Sequence, residues 1–322
     1  MKKICLLSIL LMGVLTVSAQ QRNYIVVAKD GSGNYRTVQQ AFDAIPQGNS
    51  IPVTVFVTSG VYKEKLHLDS SKRFVTLIGE DRFGTLLTFD DHTGKITPGG
   101  DTIHTGNSFS FLEAADHFTA RNITFSNTTG PGAGQAVAVD VTGDQVAFIG
   151  CRFIGDQDVL LTNSKNSREY YKNCYIEGTT DFIFGAATAF FEGCHIHSKK
   201  NSHVTAASTP EYHPYGYVFY DCQLTADTGV TKADLGRPWR PYASVTFIHC
   251  YLGPHIKPQG WSNWHETDRY KTARYAEYES YGPGADPAAR VSWSHQLTAR
   301  QAAGYPIEKV LRGWIPAGSG CE

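Results

Sequence analysis

One short pattern centred on cysteine returns five times through the middle of the chain. Phe148-Ile149-Gly150-Cys151-Arg152-Phe153 is matched by Tyr171-Lys172-Asn173-Cys174-Tyr175-Ile176, Phe191-Glu192-Gly193-Cys194-His195-Ile196, Phe219-Tyr220-Asp221-Cys222-Gln223-Leu224 and Phe247-Ile248-His249-Cys250-Tyr251-Leu252. An earlier copy, Thr119 to Phe125, is aligned with Asn122 at the cysteine position, and the intervals then run from 20 to 29 residues. Apolar strands at a fixed phase, joined by loops of variable length, describe stacked coils in which each side chain lies above its equivalent. The expected fold class is all-β, a solenoid of parallel strands.

A second register runs through polar residues. Gln135, Asp158 and Asp181 are spaced 23 and 23 residues apart, and Cys151 and Cys174 are also 23 apart. Asp158 and Asp181 therefore fall at one phase of neighbouring coils, on strands roughly 4.8 Å apart. Two acids this close do not both ionise easily, and a site can use that to separate a nucleophile from a proton donor. Either aspartate alone would be read as a turn residue bonding nearby backbone, and a lone Gln135 as a solvated one. Their shared phase singles them out.

Composition fits an exported globular protein. Hydrophobic residues make up 41% and charged residues 18% of the chain, enough to bury a core and too apolar for a disordered tail. Residues 1–19 read as a signal peptide: Lys2 and Lys3, an apolar run from Ile4 to Val17, then Val17-Ser18-Ala19 as the cleavage site. A mature chain starting near Gln20 would be periplasmic or extracellular. Its formal charge moves from -1 to about -3 on loss of the two lysines, and no basic run suggests nucleic acid or an anionic membrane. No other segment is long and apolar enough to span a bilayer. The cysteines at one phase form an internal ladder of small apolar residues; if one bridge forms, Cys174 with Cys194 has the shortest spacing. The histidines have no metal-ligand spacing, and His195 and His197 simply alternate along a strand.

The two ends read as caps on the stack. Thr37 and Gln40 can form a capping box, Val38, Ala41, Phe42 and Ile45 then share a helical face, and Pro46 stops the run. Strands begin with Val53–Val57 and Phe74–Ile78. Beyond Leu252 the cysteine register is lost, which predicts an irregular tail packed on the outside, with a short helix near Leu297 to Ala303. No linker marks a second domain, so residues 20–322 are expected to form one unit, acting as a monomer.

Further motifs carry a resemblance. Gly60-Val61-Tyr62-Lys63-Glu64, Gly134-Gln135-Ala136-Val137-Ala138-Val139, Gly155-Asp156-Gln157-Asp158, Gly178-Thr179-Thr180-Asp181-Phe182-Ile183-Phe184-Gly185 and Leu235-Gly236-Arg237-Pro238-Trp239 occur in this order. Together with Asp30 to Val38 and Ala276 to Ala285, they resemble the pectin methylesterases (pectinesterases), of the bacterial secreted type, over nearly the whole mature chain. The resemblance implies a right-handed parallel β-helix, hydrolysis of methyl esters of polygalacturonan, and neither metal nor cofactor. It implies Asp181 as nucleophile, Asp158 as acid and base, Gln135 and Gln157 as oxyanion donors, and Arg237 as the fork orienting Asp181. Trp239 and Phe184 would form the substrate-binding wall, and the partner would be methylesterified homogalacturonan.

The chain departs from the family pattern where an aromatic commonly follows Gly155. Here stands Asp156, and after the acid come Val159, Leu160 and Leu161. This puts the sugar subsites in question more than the chemistry. Two other classes remain open on the residues alone. Closely spaced carboxylates also suit a retaining glycosidase, and β-helices host polygalacturonases and lyases. The other class is a non-catalytic carbohydrate-binding solenoid.

Overall fold

The computed structural model describes residues 23–319. The expected signal peptide, Cys5 and Cys321 lie outside the described residues. The chain winds into a right-handed parallel β-helix whose walls are three parallel sheets of eleven, seven and eight strands. One coil shows the plan. Val146–Ile149 belongs to the eleven-stranded sheet, Arg152–Ile154 to the eight-stranded and Leu160–Thr162 to the seven-stranded, and Arg168–Lys172 then pairs in register with Val146–Ile149.

The repeat works because one residue before each cysteine turns the chain through the left-handed region. Gly150, Asn173, Gly193, Asp221 and His249 have φ between 52° and 62°. Glycine adopts this region without strain, and short polar side chains tolerate it better than branched ones. Asn122, at φ 54°, belongs to this turn series. Ala120 pairs with Phe148 and Arg121 with Ile149, so Asn122 stands opposite Gly150 and Ile123 takes the cysteine position. The alignment of Asn122 with the cysteines is thus one residue out, because the turn geometry and not residue polarity sets the phase.

Inside the coil, aromatic rings stack along the axis. Phe148, Tyr171, Phe191, Phe219 and Phe247 have successive centroid distances of 5.3, 4.6, 4.5 and 4.5 Å. The five cysteines are buried free thiols, so the Cys174–Cys194 bridge does not form. Each thiol is spent on backbone: Cys174 donates to the Phe148 carbonyl at 3.3 Å and Cys194 to that of Tyr171 at 3.3 Å.

The first coil is closed by the helix Val38–Asp43, which buries Val38, Ala41 and Phe42. Thr37 accepts from the Gln40 amide at 3.2 Å. The other half of the expected capping box is replaced, because the Glu64 carboxylate accepts from the Val38 and Gln39 amides at 3.0 Å each. At the far end the stack runs further than the cysteine register. Arg274–Tyr278 adds a strand beside Ser244–Ile248, and His295–Gln296 adds another, so the tail is irregular only around them. A four-residue helix, Ala299–Ala302, follows, with a Thr298–Gln301 capping box. Val310 and Leu311 then pack outside the eleven-stranded sheet against Tyr170, Phe190 and Val218.

Phe191→Ala is expected to cost about 3–5 kcal/mol of unfolding free energy, read from a urea titration. Ile96→Ala, at a side chain 59% exposed, should stay within about 0.5 kcal/mol. Equal losses would deny the ring ladder its part in holding the coils together.

Candidate active site

Outside the seven-stranded sheet lies a cavity of about 350 Å³. It brings together Gln135, Gln157, Asp158, Asp181, Phe184, Arg237 and Trp239, every residue that the sequence marks for the site. Its floor is an apolar ladder, Leu161, Phe184 and Ala206, paired in register on successive strands.

The two aspartates occupy equivalent positions. Leu160 pairs with Ile183, and each aspartate lies two residues earlier. Both have left-handed backbones, φ 63° at Asp158 and 49° at Asp181. Their amides still continue the coil-to-coil bonding, from Asp158 to the Thr180 carbonyl at 3.1 Å and from Asp181 to that of His203 at 2.8 Å. Gly178 permits the turn before Asp181, since a Cβ there would sit 2.3 Å from the Phe182 Cβ. Gln135, however, is not at the aspartate phase. It bridges to Gln157, 22 residues on, while Val139 pairs with Leu160. The segment from Gln135 to Val139 holds one residue more than that from Gln157 to Leu160, a local bulge that shifts the register. The equal 23-residue spacing is therefore a coincidence of count, and the site stacks amide on amide and acid on acid.

The acids have opposite environments. Arg237 donates from Nε to Asp181 Oδ1 at 3.0 Å and from Nη2 to Oδ2 at 2.6 Å, a two-pronged salt bridge. Gly236 makes this reach possible, because a Cβ there would lie 2.0 Å from Thr205 Oγ1. Among the described residues Asp158 has no such partner. Burial first, and the negative charge of Asp181 second, push its carboxyl up to about 8, against the opposing pull of the Gln157 amide and Arg237. Among the described residues the Gln135 side-chain amide has no hydrogen-bond partner, which leaves it free to donate into the cavity. Also among the described residues, no three His, Cys, Asp or Glu side chains converge to hold a metal ion.

Sequence reasoning missed several lining residues. Trp264, which its place after Leu252 assigns to the outer tail, stacks on the Arg237 guanidinium at 4.2 Å. Thr105 and Gly106 arrive from a loop held by the Thr93 amide on the Gln135 carbonyl at 2.9 Å and by a Thr93–Thr105 hydroxyl contact at 3.0 Å. Asn163 completes the rim and donates to Asp140 at 3.2 Å. Of the residues that depart from the family pattern, only Leu161 faces the cavity. Val159 and Leu160 are wholly buried in the core, and Asp156 turns to Lys199 at 2.9 Å.

The raised carboxyl of Asp158 has a thermodynamic sign. As pH rises, the unfolded chain gives up this proton first, so stability falls between about pH 4 and pH 8. Asp158→Asn removes that loss. At pH 7 the variant should be more stable than the parent by on the order of 3 kcal/mol, with the two converging toward pH 4. An equal pH dependence of the two proteins between pH 4 and pH 7 would show that this carboxyl is ionised in the fold.

Comparison with known proteins bears on the family and the fold. The pectinesterase family model matches residues 24–313. Pectinesterase 31 of Arabidopsis thaliana is 38% identical over 281 residues, covering 86% of this chain and 88% of that protein. The probable pectinesterase/pectinesterase inhibitor 23 of the same plant is 36% identical, and the chain spans only 53% of its length. Among solved structures, the pectin methylesterase from carrot superposes with a TM-score of 0.82 at 32% identity, covering 90% of this chain and 93% of that one. The enzyme from Erwinia chrysanthemi gives 0.80 at 26%, covering 92% and 99%. The chain belongs to the pectinesterase family of carboxylic ester hydrolases.

Proposed function

We propose that the chain hydrolyses the methyl esters of polygalacturonan, releasing methanol, with Asp181 as nucleophile and Asp158 as acid and then base. One observation carries this reading: two stacked acids, one clamped by Arg237 and the other pushed up to about 8, open into the same cleft. The Asp181 carboxylate attacks the ester carbonyl, and the charge moves to the carbonyl oxygen. The stacked amides of Gln135 and Gln157 donate to that oxyanion. As the tetrahedral centre collapses, the bond to methoxide breaks and Asp158 gives it a proton. An anhydride to Asp181 remains. Asp158, now ionised, takes a proton from water, whose oxygen attacks the anhydride and frees Asp181. Trp239 and Phe184, with centroids 5.9 Å apart, form a wall for the sugar ring. The N-terminal residues 1–19 support export to the periplasm or beyond.

Methanol release from highly methylated pectin tests the activity. New reducing ends or unsaturated ends in its place would instead mark a glycosidase or a lyase. Asp181→Asn should fold normally and release no methanol. Gln135→Ala and Gln157→Ala should each lower kcat by roughly 10²–10³ with a smaller change in KM; a pure KM effect would make these amides positioning groups.

Charge and geometry separate at Arg237. Arg237→Lys keeps the charge and loses the planar fork, so most activity should be lost. Arg237→Ala should lose more and shift the pH profile of the acid pair upward. Near-normal methanol release with lysine would remove Arg237 from the site.

A further inference from the structure

Among the described residues, two arginines beside the cleft have no carboxylate partner. Arg240 lies over the Trp239 ring at 4.9 Å and donates to its carbonyl at 3.1 Å. Arg269 donates to the same carbonyl at 2.6 Å and lies over Trp264 at 5.4 Å. Both guanidiniums thus converge on the two tryptophans that line the cavity. Among the described residues, neither comes within salt-bridge distance of an acid; Asp268, adjacent to Arg269, is spent on Lys271 at 3.0 Å. The two charges also feel each other, since burial and then Arg240 lower the affinity of Arg269 for its proton. Such a pair is left uncompensated until an anion arrives.

The other end of the cleft is neutral. Thr105, Gly106, Gln135 and Asn163 line it. Lys65 and Lys95, the cations behind it, are held by Asp91 and Asp90, and Asp90 also binds Lys63. Arg237, at the centre, is occupied by Asp181. At the Trp239 end, by contrast, Arg240 and Arg269 have no carboxylate within salt-bridge distance among the described residues.

We propose that Arg240 and Arg269 form a carboxylate subsite that takes the free uronate of a sugar neighbouring the one whose ester is cleaved. This rests on the esterase reading above. An Arg fork suits a carboxylate better than an uncharged methyl ester, so the subsite discriminates between a sugar already de-esterified and one still methylated. It acts on one side of the reacting sugar only.

Calorimetric binding of an unesterified galacturonate oligomer, compared with its fully methylated counterpart, tests the subsite without relying on turnover when every protein compared also carries Asp181→Asn, which keeps the methylated oligomer intact. The parent enzyme should bind the unesterified oligomer more weakly as salt is raised. Arg240→Gln should weaken that binding roughly three- to tenfold, as removal of a partly exposed charge contact does, and Arg240→Lys should recover much of it. Arg269→Lys should behave like the parent in salt dependence while keeping the charge next to Trp239. Equal binding by the parent and Arg240→Gln overturns the proposal. So does an equal loss toward the fully methylated oligomer, which would mean that only the Trp239 wall was disturbed. Absence of methanol release by the parent enzyme would overturn the esterase reading instead, and the binding comparison would still decide the subsite.

Discussion

In-register hydrogen bonding between successive coils governs everything else in this molecule. Once Val146–Ile149 is paired with Arg168–Lys172, the rest of each coil follows at a spacing of about 4.8 Å. Equivalent side chains are then forced into contact whether or not their chemistry favours it. For the ring ladder from Phe148 to Phe247 the contact is favourable, with near-parallel rings in the core. For Asp158 and Asp181 it is not. The same geometry that stacks phenylalanines brings two carboxyls together in a half-dry cleft.

The protein resolves that conflict by asymmetry. Arg237 meets Asp181 with both prongs, while Asp158, 8% exposed, keeps its proton. The fold thus holds one carboxylate and one carboxylic acid side by side. The arrangement stores strain as well, because both aspartates have left-handed backbones. Asparagine, glycine and aspartate tolerate that region, and the turn before each cysteine uses it for shape alone. At the aspartates the same backbone habit aims a side chain into the cleft.

How far this was legible in the sequence depends on which force set each feature. The cysteine phase was readable because every coil obeys the same turn, and the acid pair was readable because its 23-residue spacing equals a coil. Two registers were off by a single residue for related reasons. Asn122 was matched to cysteine by position in a motif, when its left-handed turn places it opposite Gly150. Gln135 was matched to the aspartates by count, when a bulge before Val139 moves it onto Gln157. Counting residues cannot see a bulge. Trp264 was out of reach altogether, since it enters the cleft from a tail whose path depends on tertiary packing rather than on any repeat.

The departures from the family pattern acquire a different meaning once their faces are known. Val159 and Leu160 point into the core, and Asp156 is bound to Lys199, so none of the three faces the cavity. Leu161 alone among them does, in register with Phe184 and then Ala206. The floor at that level is therefore aliphatic, then aromatic, then small, and it offers a methyl ester an apolar surface but no donor. Charge is supplied from the side, by the arginines at Trp239. A floor that accepts methyl groups with a wall that accepts carboxylates gives the cleft a direction along the polymer, and that direction follows from the order of the coils.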